Sequence, residues 1–137
     1  MWTSDFYGAD RVGDNLYANS IVALDADTGK YAWHYQINPA DSWDYDSTQQ
    51  MTLATLNIDG KPRKVLMQAP KNGFYYVIDR DSGRLMSAGK LGHVDWAERI
   101  DVASGRPVER ADIRYEKGPV TLHPGNLGLH NLTAMAY

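Results

Sequence analysis

Ile21-Val-Ala-Leu-Asp25-Ala-Asp-Thr-Gly29-Lys-Tyr-Ala-Trp33 reads as a strand, a tight turn and a second strand. Branched and aromatic residues suit the two arms. The Asp that closes the first arm can bond the turn's backbone, and the Gly supplies positive φ where the next strand begins. The pattern returns in Tyr75-Tyr-Val-Ile-Asp79-Arg-Asp-Ser-Gly83-Arg-Leu-Met86, with Asp25 to Asp79 and Gly29 to Gly83 both 54 positions apart. A third, weaker copy is Ile100-Asp101-Val-Ala-Ser-Gly105-Arg106. A fourth hairpin signal is Asp59-Gly60, which joins Met51–Leu56 to Lys64–Gln68. No segment carries a convincing helical period. Short strands, Gly turns and an internal period near 50 point to an all-β, propeller-type array of four-stranded blades.

A propeller closes with about four to eight blades, and this chain accounts for roughly two. The 137 residues therefore read as a piece of a longer propeller. A further strand is expected to start in Asn131-Leu-Thr-Ala-Met-Ala-Tyr137. Residues 91–130, with repeated Gly and Pro, read as a long irregular connection with only short elements. A piece of this size leaves sheet edges and blade faces uncovered, so it is not expected to be stable or active alone.

With 43% hydrophobic and 23% charged residues, the composition is globular and not disordered. Net charge is -3, and no basic cluster suggests nucleic acid. Lys61-Pro-Arg-Lys64 reads as a solvated turn. The chain has no Cys, which excludes a disulfide, a thiolate metal site or an attached c-type haem within it. No apolar run approaches the roughly 18 residues of a membrane span. Met1-Trp-Thr-Ser-Asp5 lacks the basic and apolar regions of a leader.

Chemistry concentrates in Trp43-Asp44-Tyr45-Asp46. If this segment is extended, Asp44 and Asp46 share one face, and Trp43 and Tyr45 the other. Two like charges side by side suit a wet surface, a hard-cation site or an acid/base pair. Asp41 adds a third carboxylate, on another face if the strand holds. Asp25-Ala-Asp27-Thr-Gly29 is not a Ca²⁺ loop, because Gly falls at position five and Gln36 at position twelve. His34, His93, His123 and His130 lack zinc-ligand spacing and read as structural or exposed. No serine nucleophile elbow, phosphate loop or dinucleotide fingerprint is present.

Gly13-Asp-Asn-Leu-Tyr17, Ile21–Gln36, Trp43–Asp46 and Gly60-Lys-Pro-Arg-Lys-Val-Leu-Met-Gln-Ala-Pro-Lys-Asn-Gly-Phe-Tyr-Tyr-Val-Ile-Asp-Arg80 closely resemble the pyrroloquinoline quinone (PQQ)-dependent alcohol dehydrogenases. The resemblance covers nearly the whole chain. It implies that residues 1–137 are a fragment of a quinoprotein alcohol dehydrogenase propeller domain, part of an eight-bladed ring. It further implies periplasmic oxidation of primary alcohols to aldehydes, with electrons passing to a cytochrome c. It admits a homodimer of the full-length protein.

By the same resemblance, Asp44 matches the catalytic aspartate, expected as general base toward the alcohol O–H while the α-hydrogen leaves as hydride to PQQ. Lys71, in Pro70-Lys-Asn-Gly73, matches the cationic position at the quinone oxygens. Asn131 matches an asparagine near the quinone, although the family usually carries Trp where this chain has Leu132. Asp44 and Asp46 are the expected metal ligands. Lanthanide-dependent members carry Asp at the position of Asp46, and calcium-type members usually a small or uncharged residue. A trivalent hard cation balances one more carboxylate than Ca²⁺. The expected cofactors are therefore PQQ and a lanthanide ion, with Ca²⁺ as the alternative. A non-catalytic PQQ-like repeat scaffold is the other reading, though Trp43-Asp44 and the Lys71 string are not expected there. In relatives the other metal ligands, the stacking tryptophan and an adjacent-cysteine disulfide lie before the position of residue 1.

Overall fold

The computed structural model describes residues 11–136. The segment Met1–Asp5, read above for a leader, and Tyr137 fall outside them. Eight strands follow in order: β1 Ser20–Leu24, β2 Tyr31–Gln36, β3 Met51–Ile58, β4 Lys61–Gln68, β5 Phe74–Asp79, β6 Leu85–Lys90, β7 Ala97–Asp101 and β8 Arg106–Glu109. Strands β3 to β6 form a four-stranded sheet in chain order, flanked by the two-stranded sheets β1–β2 and β7–β8. All pairings are antiparallel. The architecture is a partial propeller, with one complete blade between two half-blades among the described residues.

The three Asp-x-x-x-Gly turns are built alike. Gly29, Gly83 and Gly105 have φ of 68°, 74° and 72°. Each Gly N–H donates to the carbonyl of the turn's leading Asp at 2.8 Å. The Asp carboxylates accept from the backbone N–H of Thr28, Ser82 and Ser104 at 2.8, 2.9 and 2.9 Å. In the fourth hairpin Ile58 faces Lys61, and Asp59 and Gly60 both hold positive φ. That is the twist a two-residue hairpin turn requires.

Two expectations are corrected. Lys61-Pro-Arg-Lys64 is not a turn but the exposed first half of β4, paired with β3. Pro62 is tolerated because β4 pairs with β5 only from Val65 onward, so its missing N–H breaks no bond to β5. The start of a strand at Asn131 is also not found, since residues 131–136 hold no strand. The connection 91–130 is less irregular than its Gly and Pro content suggests. It contains the β7–β8 hairpin around the third turn, then one short 3₁₀ turn at Tyr115–Lys117.

The core lies between the sheets. β5 alternates, with Phe74, Tyr76 and Ile78 turned inward. Trp96 and Tyr45 are fully buried beside them. Aromatics of β2 seat against the next turns. A Cβ on Gly83 would lie 2.5 Å from the Trp33 ring, and one on Gly105 would lie 3.0 Å from Tyr35. Trp33 Nε1 donates to Arg80 O at 3.1 Å, and the Tyr35 hydroxyl to Gly105 O at 2.7 Å. Outer faces stay open, with Leu24 59% and Leu53 56% exposed, as expected of part of a ring.

Candidate metal and quinone site

Residues 37–50 link β2 to β3 without regular structure, and Asp41 organises them. Its carboxylate accepts from Asn38 Nδ2 at 2.7 Å, Tyr45 N at 3.0 Å and Trp43 N at 3.3 Å. Burial pushes the Asp41 carboxyl up to about 6, against the N–H donors that pull it down. Asp44 takes a left-handed conformation with φ of 61°, which Asp tolerates better than most residues. The segment is therefore not an extended strand. Nonetheless, Trp43 and Tyr45 turn inward, and Asp44 and Asp46 are partly exposed.

The two aromatics anchor the loop. The Trp43 ring lies 5.2 Å from Trp96 and 4.8 Å from the Arg114 guanidinium. The Tyr45 hydroxyl donates to Pro124 O at 2.5 Å. Arg114 donates to Ala40 O at 2.6 Å and pairs with Glu109. The Tyr45–Pro124 and Arg114–Ala40 bonds cross 79 and 74 positions of sequence, so local pattern could not disclose them.

Lys71 meets the carboxylate pair from the link between β4 and β5. Its Nζ donates to Asp46 Oδ2 at 2.7 Å, Asp44 O at 3.0 Å and Asp44 Oδ2 at 3.1 Å. Burial pulls the lysine's pKa down. Hydrogen bonds and charge from Asp46 and Asp44 outweigh this, so it is held above the usual value. Gly128 leaves room for Lys71, since a Cβ there would lie 2.6 Å from Lys71 Cα. Leu129 N donates to Lys71 O at 3.1 Å. Asn72, fully buried, donates to the Tyr76 hydroxyl and accepts from Trp96 Nε1, both through bonds under 3 Å. Asn131 donates to Leu127 O at 3.0 Å and makes no hydrogen bond to the Lys71 cluster.

Three oxygens thus converge on one ammonium: two carboxylate oxygens and a carbonyl. Such an all-oxygen set matches what hard cations bind. Oδ1 of each carboxylate receives no hydrogen bond from the described residues. The fixed positive charge of Lys71 suits the oxygens of a quinone that gains electrons. The residues present fit both groups. Asp41, Asn72, Trp96 and Arg114 were not singled out by the sequence as site residues. Only the proximity of Asp41 to the pair hinted at a role.

The PQQ glucose/ethanol/alcohol dehydrogenase β-propeller domain matches residues 2–88. The chain is 62% identical over 125 residues to quinohemoprotein alcohol dehydrogenase ADH IIB of Pseudomonas putida, covering 91% of this chain and 18% of that one. It is 56% identical over 100 residues to the 1-butanol dehydrogenase (cytochrome c) of Thauera butanivorans, covering 73% of this chain and 14% of that one. A solved europium-containing methanol dehydrogenase superposes with a TM-score of 0.76 at 37% identity, over 86% of this chain and 21% of that one. The chain thus spans under a fifth of the length of the curated relatives it matches, and it belongs to the PQQ-dependent alcohol dehydrogenase family, within its β-propeller domain.

Proposed function

We propose that the protein containing this chain is a periplasmic, PQQ- and metal-dependent dehydrogenase. It would oxidise primary alcohols to aldehydes and pass electrons to a cytochrome c. The observation that carries the reading is the convergence of Asp44 and Asp46 on Lys71. Bound PQQ supplies the acceptor for the alcohol's α-hydrogen, and a bound metal ion supplies Lewis acidity. Asp44 is the general base. Its Oδ2 is held by Lys71, which leaves Oδ1 to take the hydroxyl proton. Lys71 holds positive charge beside the quinone. Asn131 is assigned to the quinone surroundings by resemblance. The cytochrome c partner is supported by the name of the Thauera relative.

Asp44 and Asp46 hold the metal in this reading, and Asp46 favours a lanthanide. The europium-containing relative supports that choice. A second reading keeps Ca²⁺. It is favoured by Lys71, which already neutralises one of the pair's two charges and so lowers the charge the metal must bring.

Reconstitution of the full-length apoprotein with PQQ and either La³⁺ or Ca²⁺ separates the two. The lanthanide reading expects higher dye-linked alcohol oxidation with La³⁺, and loss of that preference in Asp46→Ala. Full activity with Ca²⁺ alone, unchanged by Asp46→Ala, would reject it. Asp44→Asn should abolish turnover with PQQ still bound; retained turnover removes Asp44 as the base.

A further inference from the structure

His93, Asp95 and His123 come from two segments that the sequence separates by about thirty positions. The fold locks these segments together. Asp95 N donates to His123 O at 3.0 Å, and His123 N donates to Asp95 Oδ1 at 2.8 Å. Asp95 is flanked by buried Val94 and Trp96, so its backbone is anchored on both sides. Lys90 Nζ holds Val94 O at 2.7 Å.

This arrangement aims three ligand atoms at one space. Asp95 Oδ2 lies 3.2 Å from His123 Nδ1 and 3.5 Å from His93 Nε2. All three atoms fall within 4.8 Å of one another. Ligands about 2.0–2.1 Å from a tetrahedral ion stand about 3.3 Å apart, which the two oxygen–nitrogen separations already approach. The His93 side chain is 71% exposed, so its ring can adjust at little cost. The Arg110 guanidinium is the cation that faces the group. It approaches Asp95 Oδ1 at 3.8 Å and donates to Thr121 O. It therefore engages the carboxylate oxygen turned to the His123 N–H and leaves Oδ2 to the imidazoles.

We propose that His93, Asp95 and His123 form a binding site for a divalent transition-metal ion such as Zn²⁺, with the remaining coordination positions taken by water. Two imidazole nitrogens and one carboxylate oxygen suit Zn²⁺, Ni²⁺ or Cu²⁺. They do not suit the hard, oxygen-preferring cations that the Asp44 and Asp46 carboxylates would take. The ion staples two segments that frame the candidate active site. Val94 and Pro124 both pack on Gly73, two residues beyond Lys71. The carbonyl of Pro124, next to His123, accepts the Tyr45 hydroxyl between Asp44 and Asp46. Binding is structural and supplies no step of alcohol oxidation. The proposal stands on geometry independent of the function proposed above.

The test is calorimetric titration of the full-length holoprotein with Zn²⁺, beside His93→Gln and Asp95→Asn variants. His93→Gln changes an exposed side chain, and circular dichroism checks that both variants fold. The wild type is expected to take up one Zn²⁺ equivalent more than either variant, or to bind it at least about tenfold more tightly, the lower end of what outer-shell partners of a metal site contribute. Affinity should fall as pH is lowered, because protons compete for the imidazoles. Without added Zn²⁺, alcohol oxidation by His93→Gln should equal that of the wild type. Equal Zn²⁺ stoichiometry and affinity in wild type and His93→Gln overturns the proposal. So does a Zn²⁺ complex that dissociates fully on dialysis against chelator-free buffer.

Discussion

The Lys71 ammonium lies 2.7 Å from Asp46 Oδ2 while its own side chain is only 9% exposed. One buried cation therefore holds together two carboxylates that would otherwise repel. Lys71→Met removes that charge and leaves the pair facing each other. In the full-length enzyme, kcat should fall by about 10²–10³, as when a fixed donor to a developing negative charge is lost. Lys71→Arg keeps the charge and should recover part of it. Steady-state kinetics with a dye acceptor measures both. A Lys71→Met enzyme within twofold of wild type contradicts the role.

Gly128 sets how closely the 125–129 turn approaches Lys71. Gly128→Ala combines positive φ of 79° with a Cβ 2.6 Å from Lys71 Cα. It should destabilise by about 1–2 kcal/mol from the backbone alone and reduce activity by moving Lys71. Gly125→Ala is the control, since a Cβ there meets nothing within 4 Å. Parallel melting curves and turnover numbers would reveal whether the two glycines differ as stated.

Trp43 is 1% exposed and sits between Trp96 and Arg114. Trp43→Ala should cost about 3–5 kcal/mol. Trp43→Phe should cost less, because it keeps a ring in the stack while losing the bond from Nε1 to Ile113 O. Denaturant midpoints of the two variants provide the ranking, and equal losses would count against the stacking account.

Asp41 should show an inverted pH response. Its carboxyl is raised from the ordinary 3.8 to about 6, so the folded state holds this proton more tightly than the unfolded one. The stability it confers is full below pH 4 and declines as pH rises through 6. Asp41→Asn cannot titrate. The stability of wild type relative to Asp41→Asn should therefore shrink between pH 5 and pH 8, by about 1 kcal/mol. Growth of that difference with pH would mean that the N–H donors dominate burial.

The hairpins were legible because their determinants are local. Asp25, Asp79 and Asp101 each bond within their own turn, and the Gly four positions on needs only its own φ. The same logic marked Asp59-Gly60. Lys61–Lys64 misled because Pro usually ends regular structure, whereas here it sits beyond the reach of β5. At the site, the sequence set Trp43 and Tyr45 on one face and Asp44 and Asp46 on the other by assuming an extended segment. The aromatics do turn inward, although the segment is not extended. The left-handed Asp44 was not legible, because it depends on Asp41 beneath the loop. That three histidine and aspartate side chains meet at Asp95 was also hidden. It requires the pairing of residue 95 with residue 123, a contact that no spacing rule encodes.

The seating of Trp33 on Gly83, and of Tyr35 on Gly105, has a consequence for how the chain acquires its structure during synthesis. The β1–β2 hairpin leaves the ribosome before residues 83 and 105, on which Trp33 and Tyr35 seat. These two aromatics of β2 therefore gain their seats only from turns made later. Substituting a turn glycine penalises the older blade as well as its own.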